Sequence, residues 1–219
     1  MLDGPSDARP QPRVSLRDRV RNLKAGERFR EILVARADIR PGHRVLDLGC
    51  GRGVLAFIVK RERPDAIVTG LDVDEKNIIW ARRRAAREGV DITFDVYDGG
   101  RMPYGDGTFD RVVGSLVVHH LEDKVGTLRE ARRVLAEGGR VMLADYGPPR
   151  GLYARVAVRV QGMYDEMGEN VAGLVPARMR EAGFGDAGEV GYYNTLWGTM
   201  AVFGGSKGRS ISSLTSEEK

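Results

Sequence analysis

The chain has 219 residues, 42% hydrophobic and 30% charged, with a net charge of +4 and a single cysteine. That length holds one domain with its own core. The lone Cys50 excludes an internal disulfide and points to a reducing, cytoplasmic setting, while the absence of any run near the roughly 18 apolar residues of a span, or of a secretory h-region, argues against integral membrane association.

Residues 1–14, rich in Pro, Asp, Gly and Ser, are expected to be disordered, as is the tail 208–219. Residues 15–207 then form one domain. The basic runs "RDRVRNLK" (17–24) and "ARRRAAREG" (81–89) mix in acidic residues and alternate with no aromatics, so they read as solvated helix faces. "HRVLDLGC" (43–50) predicts a buried strand. "GVLAFIVKRERP" (53–64) predicts a helix with Val54, Phe57, Ile58 and Arg61 along one side. "AIVTGLDV" (66–73) predicts a second strand, "EKNIIWARRRAAREG" (75–89) a helix stopped by Gly89, "DITFDVYD" (91–98) a third strand and "FDRVVGSLVV" (109–118) a fourth. "EDKVGTLREARRVLAEGG" (122–139) predicts a helix with a Gly-Gly stop, and "RVMLADYG" (140–147) a fifth strand. A helix over 151–168 carries the stripe Val156, Val160, Met163 and Met167. A short helix over 176–185 and a closing hairpin over 188–207 complete the pattern. Short apolar strands alternating with amphipathic helices predict an α/β fold, a doubly wound and mostly parallel sheet with helices on both faces.

In "VLDLGCGRG" (45–53) an acid, Asp47, precedes glycines at every second position. Glycine fills no volume, so Gly49, Gly51 and Gly53 imply that something approaches the main chain. In such sheets ligands sit beyond the carboxyl ends of the strands. Asp72 closes the second strand, where a carboxylate can accept from both hydroxyls of a ribose. The spacing is G-x-G-x-G, whereas a dinucleotide fingerprint would need glycine at Val54, and no Gly-Lys-Ser/Thr of a P-loop is present. Asp47 beside the loop is awkward for a pyrophosphate and suits a cofactor with cationic groups. Cys50 reads as a small filler and Asp110 as structural. Ser115, at the end of the fourth strand, can line the rest of such a ligand.

Here the chain resembles a known family. "VLDLGCGRG" is similar to motif I of the class I S-adenosylmethionine-dependent methyltransferases, "GLDVDEKNI" to their second motif, "DVYDGGRMPYGDGTFDRVV" to the segment before the fourth strand, and "EARRVLAEGGRVMLADY" to the helix and strand that follow. The resemblance covers about 44–146 and is nearest to the small-molecule branch that includes the ubiquinone/menaquinone methylases. It implies a seven-stranded sheet with an antiparallel terminal hairpin. It also implies S-adenosyl-L-methionine as cofactor, Asp47, Gly49, Gly51 and Ser115 around its methionine portion, Asp72 on its ribose, and Asp98 with Gly99 at the adenine.

After the fourth strand stands "GSLVVHHL" rather than the Asn/Asp-Pro-Pro-Tyr/Phe of nucleic-acid amino methylases, so no nucleic-acid partner is expected. His119 starts 26 residues before Asp145 at the end of the fifth strand; in some O-methyltransferases resembling this chain such a pair acts as base and orienter. The opposing reading makes His119-His120 the start of a helix that closes the pocket floor. A lid over 147–175 with Tyr146, Tyr153, Tyr164, Met163 and Met167, joined by Tyr192, Tyr193 and Trp197, either lines an acceptor pocket or is ordinary core. Arg155 and Arg159 either meet an acidic acceptor or are solvated. The expectation is methyl transfer to a small-molecule acceptor, O- ahead of N- or C-methylation, in a biosynthetic pathway. Its rivals are a quinone or phospholipid methyltransferase at a membrane surface, a regulatory protein that binds the cofactor without turnover, and, third, a nicotinamide dehydrogenase. Monomer and homodimer both stay open.

Overall fold

The computed structural model describes residues 28–150, 164–195 and 198–208. The basic run 17–24, the expected disordered ends apart from Gly208, Val156, Val160, Met163, Tyr153, Arg155, Arg159 and Trp197 lie outside the described residues.

Residues 28–36 are helical (α1). There follow β1 (Arg44–Leu48), α2 (Val54–Glu62), β2 (Ile67–Asp72), α3 (Glu75–Glu88), β3 (Thr93–Val96), β4 (Phe109–Ser115), a 3-10 turn at Val118–His120, α4 (Lys124–Val134) and β5 (Leu135–Tyr146). Then come α5 (Tyr164–Val171), α6 (Val175–Glu181), β6 (Gly188–Thr195) and β7 (Gly198–Ser206). Among the described residues the strands form one seven-stranded sheet in the order β3-β2-β1-β4-β5-β7-β6. The first five strands run parallel, and β7 lies antiparallel between β5 and β6. The chain winds outward from β1 to β3 and returns to β4, so the switch point falls between β1 and β4, where an open α/β sheet leaves a crevice.

Side-chain alternation along β1 feeds two cores. Val45 joins Phe29, Leu33, Phe57, Ile78 and Phe94 on one face, while Leu46 and Leu48 join Leu128, Val141, Met179 and Phe203 on the other. Burial of this kind is worth about 25 cal/mol per Å² of apolar surface, the main force holding the layers together. Local signals set several element ends. Asp74 caps α3 by accepting from the Lys76 amide, and Gly89 ends it in the left-handed region at φ 64°.

Two boundaries that differ from those read in the sequence have a clear physical cause. The Gly138-Gly139 pair does not stop a helix, because α4 ends at Val134 and β5 starts at Leu135. Leu135 is fully buried and pairs with Phe109 across a β4 irregularity, so core burial overrides helical propensity there. Gly138, at φ 74°, then sits within the strand and donates to Lys207 O. The fourth strand stops at Ser115, since Leu116 takes φ 57°. Val54, read with Phe57, Ile58 and Arg61 along one side of α2, is 38% exposed and faces the crevice, while Phe57 and Ile58 are buried.

Candidate active site

A cleft of about 910 Å³ opens at the switch point, beyond the carboxyl ends of β1, β2 and β4. A second crevice, about 700 Å³, lies at the opposite end of the sheet. The Asp38 carboxylate lies within 4 Å of all three of its arginines, Arg40, Arg111 and Arg140, so their charge is met internally. Asp110 is structural as expected, accepting from the Arg44 amide at 2.8 Å.

The glycines after β1 serve three different purposes, though all three have positive φ. A Cβ on Gly49 would stand 2.2 Å from Val117 Cγ2, so this residue lets the loop after β4 pack down. A Cβ on Gly53 would stand 2.8 Å from Phe94 Cζ, so it lets α2 close onto β3. A Cβ on Gly51 would meet nothing within 4 Å. It would project into open space at the cleft wall, the one position of the three that keeps room for a ligand.

Asp72 holds this loop. Its Oδ2 accepts from the Gly51 amide at 2.7 Å and its Oδ1 from the Asp74 amide at 2.9 Å. Buried but for 8% of its surface, it borders the cleft as a charged acceptor with lone pairs to spare. Asp98 and Gly99 border the cleft beyond β3; Asp98 accepts from the Gly100 amide at 2.9 Å, which fixes its turn.

Asp47 points toward α2. Its Oδ2 accepts from the Ala56 amide at 2.9 Å, capping a helix whose own N-cap residue, Gly53, has no side chain to do so. Its Oδ1 is buried and has no partner. Burial pushes its carboxyl up to about 8, against the lowering effect of the Ala56 bond and of the Arg30 charge. An orphaned carboxyl oxygen beneath a glycine loop fits a cationic group arriving there. Cys50 is buried, and desolvation raises its thiol far above the ordinary value, so it is a filler rather than a nucleophile.

On the other wall Ser115 Oγ accepts from Arg30 Nε at 3.0 Å, and both residues border the cleft. Farther along, Asp145 is fully buried at the end of β5. Its Oδ2 accepts from the Val118 amide at 2.7 Å, and its Oδ1 from the Tyr146 amide at 2.7 Å. Its Oδ1 also lies 2.7 Å from His119 Nδ1. An ionised carboxylate only accepts, which assigns the proton to Nδ1 and leaves the Nε2 lone pair available. The His119 side chain is 6% exposed, and its ring packs 3.9 Å from that of His120 and edge-on to Tyr146. It is His120 that borders the cleft.

Residues 39–181 match the model of a methyltransferase domain. The chain belongs to that methyltransferase family. One relative of this chain is the 27-O-demethylrifamycin SV methyltransferase of Amycolatopsis mediterranei. The two are 36% identical over 170 residues, covering 73% of this chain and 60% of the relative. Another is the ubiquinone/menaquinone biosynthesis C-methyltransferase UbiE of Desulfotalea psychrophila, 34% identical over 137 residues, covering 63% of this chain and 55% of the relative. The chain spans about half the length of the curated relatives it matches. Among solved structures, the Haemonchus contortus phosphoethanolamine N-methyltransferase 2 in complex with S-adenosyl-L-methionine superposes with a TM-score of 0.65. The match is 16% identical and covers 83% of this chain and 53% of that one, which shows the shared fold.

The cleft also contains residues that sequence reasoning missed. Arg30 comes from α1, Tyr97 and Asn77 from the β3 and α3 side, and Leu116 from the turn after β4. Leu116 at φ 57° is a backbone arrangement that a branched residue adopts at a cost of about 1–3 kcal/mol, the kind of strain that collects at functional sites. Nothing in the local sequence marks it.

Proposed function

We propose that this methyltransferase transfers the methyl group of S-adenosylmethionine to a hydroxyl of a small-molecule acceptor in a cytoplasmic biosynthetic setting. The observation that carries the reading is an ordered row of groups across adjacent strand ends. Asp98 follows β3, Asp72 ends β2, the open Gly51 position follows β1, Ser115 ends β4, and the His119–Asp145 pair joins the turn after β4 to the end of β5. Asp98 would hold the adenine, Asp72 the ribose hydroxyls, and the loop with Asp47 and Ser115 the methionine portion. When bound, S-adenosylmethionine supplies a methyl carbon activated by a sulfonium leaving group. The chain's own work is to align the acceptor and, for a hydroxyl, to take its proton. His119 Nε2 would take that proton, with Asp145 fixing the tautomer and stabilising the imidazolium, which requires the acceptor to reach past His120, the histidine that borders the cleft.

The named relatives methylate oxygen and carbon, and the structural neighbour nitrogen, so the family leaves the methylated atom open. A paired imidazole and carboxylate supports oxygen, because an amine needs no base at the moment of transfer. A second reading, methylation of a quinone-type acceptor at a membrane surface, is supported by the UbiE relative. Among the described residues no helix is long and apolar enough to cross a membrane. The test is transfer of label from methyl-labelled S-adenosylmethionine into pools of phenols, hydroxylated polyketides and quinols, with the product's methyl carbon assigned by NMR. A methoxy product supports the reading, whereas a carbon-bound methyl gives the second one. A chain that binds the cofactor and never labels any pool is a regulatory binder rather than an enzyme.

A further inference from the structure

We propose that the outward face of α3 seats this protein on an anionic lipid bilayer, with Trp80 and Ile79 entering the headgroup layer and Lys76, Arg83 and Arg87 meeting the lipid phosphates. The inference goes beyond the proposed function, because it concerns where the chain works and not which atom it methylates.

The 14-residue α3 buries Ile78, Ala81 and Ala85. Side chains three, four, seven and eleven positions apart share one face of a helix. Lys76, Ile79, Trp80, Arg83 and Arg87 therefore form a stripe opposite the buried residues, and all five are exposed. The acids of the helix, Glu75 and Glu88, fall outside that stripe. A solvated helix face mixes charges of both signs. This one carries three cations and no acid. Lys76 and Arg83 have no acidic partner among the described residues. Glu88 is shared, 2.9 Å from Arg84 and 3.5 Å from Arg87.

The apolar part of the stripe supplies the second half of the argument. Trp80 leaves 54% of its surface in water and Ile79 leaves 39%. An indole, with its apolar body and polar N–H, suits the boundary between headgroups and acyl chains. Apolar side chains bracketed by cations are the pattern of a helix that lies in a bilayer interface. The Arg52 guanidinium stands 5.5 Å over the Trp80 ring and adds a fourth cation at the same place. Nucleic-acid phosphates would match the charges as well. Ile79, however, offers a base no stacking face, and Arg52 already takes one face of Trp80. Arg52 and Asn77 border the cleft, so seating α3 sets the cleft mouth beside the lipid.

The experiment is co-sedimentation of the full chain with vesicles of phosphatidylcholine alone and of an equal mixture of phosphatidylcholine and phosphatidylglycerol. Wild type should bind the mixed vesicles at about 0.1 M salt, release them at about 1 M, and leave the neutral ones unbound. The Lys76→Gln/Arg83→Gln variant should bind at least about tenfold more weakly, since each cation at an anionic surface carries a factor of roughly five. Trp80→Ser should also weaken binding, and both variants should keep the melting midpoint of wild type because the changes are on the surface. A blue shift in tryptophan emission should accompany binding and be missing from Trp80→Phe. No binding to the mixed vesicles, or equal binding by wild type and both variants, overturns the proposal. So does a chain that binds polyuridylic acid through the same cations and no vesicle, which makes the face a nucleic-acid surface.

Discussion

Nδ1 of His119 lies 2.7 Å from Oδ1 of Asp145, across 26 residues of chain, and the same carboxylate accepts the amides of Val118 and Tyr146. Asp145 therefore does two things at once. It pins the turn after β4 to the end of β5, and it orients the imidazole.

These roles separate by substitution. With a hydroxyl acceptor, His119→Ala should lower kcat by about 10²–10⁴ and leave cofactor affinity nearly intact. Asp145→Asn should lower kcat comparably, and the double variant little more than either single one, because the pair acts as a unit. Asp145→Ala strands the buried Val118 amide and the part-buried Tyr146 and His119 donors and should also cost roughly 3 kcal/mol or more of stability in a denaturant melt. A His119→Ala enzyme with full turnover and an unaltered pH profile leaves alignment alone as the mechanism.

Gly49 and Gly51 should fail differently. A Cβ at Gly49 meets Val117 at 2.2 Å, so Gly49→Ala should destabilise the fold by about 1–3 kcal/mol from overpacking, with added strain from φ 63°. A Cβ at Gly51 meets no protein atom within 4 Å, so the stability cost of Gly51→Val should come mainly from the backbone, on the order of 1–2 kcal/mol. Its effect on cofactor binding should be large, since the side chain enters the space meant for the ligand. Melts and binding measured side by side check the contrast; tight binding by Gly51→Val would remove the ligand from that position.

Asp47 makes stability depend on pH. In the folded chain burial keeps its proton on until about 8, whereas unfolded it ionises near pH ~3.9. Between those values the folded state binds more protons, so its contribution is complete below the lower value and is lost as pH rises through the upper one. Asp47→Asn should remove a slope of up to about 1.4 kcal/mol per pH unit in that window, read from denaturant melts. An ammonium beside Asp47 favours its ionised form, so cofactor binding near neutral pH should release a proton from wild type and none from the variant. Calorimetry in buffers of different ionisation enthalpy measures that release. A wild type that releases no proton places the ammonium elsewhere.

The sheet, the loop after β1 and Asp72 were legible because each leaves a local mark: apolar strands between amphipathic helices, glycines at alternate positions, an acid closing a strand. The separate duties of Gly49, Gly51 and Gly53 were not, since they depend on Val117 and Phe94, residues remote in sequence. Arg30 was missed for the same reason, since its bond to Ser115 spans 85 residues. Gly138-Gly139 misled because a glycine pair after a helical stretch resembles a stop, while Leu135 is drawn into the sheet by burial. The His119–Asp145 pairing followed from two strand ends, but the expectation that His119 itself stands at the cleft and His120 only packs missed the turn after β4, which puts His120 at the cleft wall and His119 behind it.

The most direct test is equilibrium binding of S-adenosylmethionine to the full chain, to Asp72→Asn and to Gly51→Val. Asp72 is a buried charged acceptor beside Gly51, and hydrogen bonds to a charged group are worth about 1.5–3 kcal/mol each. Wild type should bind one equivalent, Asp72→Asn should bind at least about tenfold more weakly, and Gly51→Val should not bind measurably. Absence of binding to wild type, or equal binding by all three, would contradict the assignment of this cleft to the cofactor.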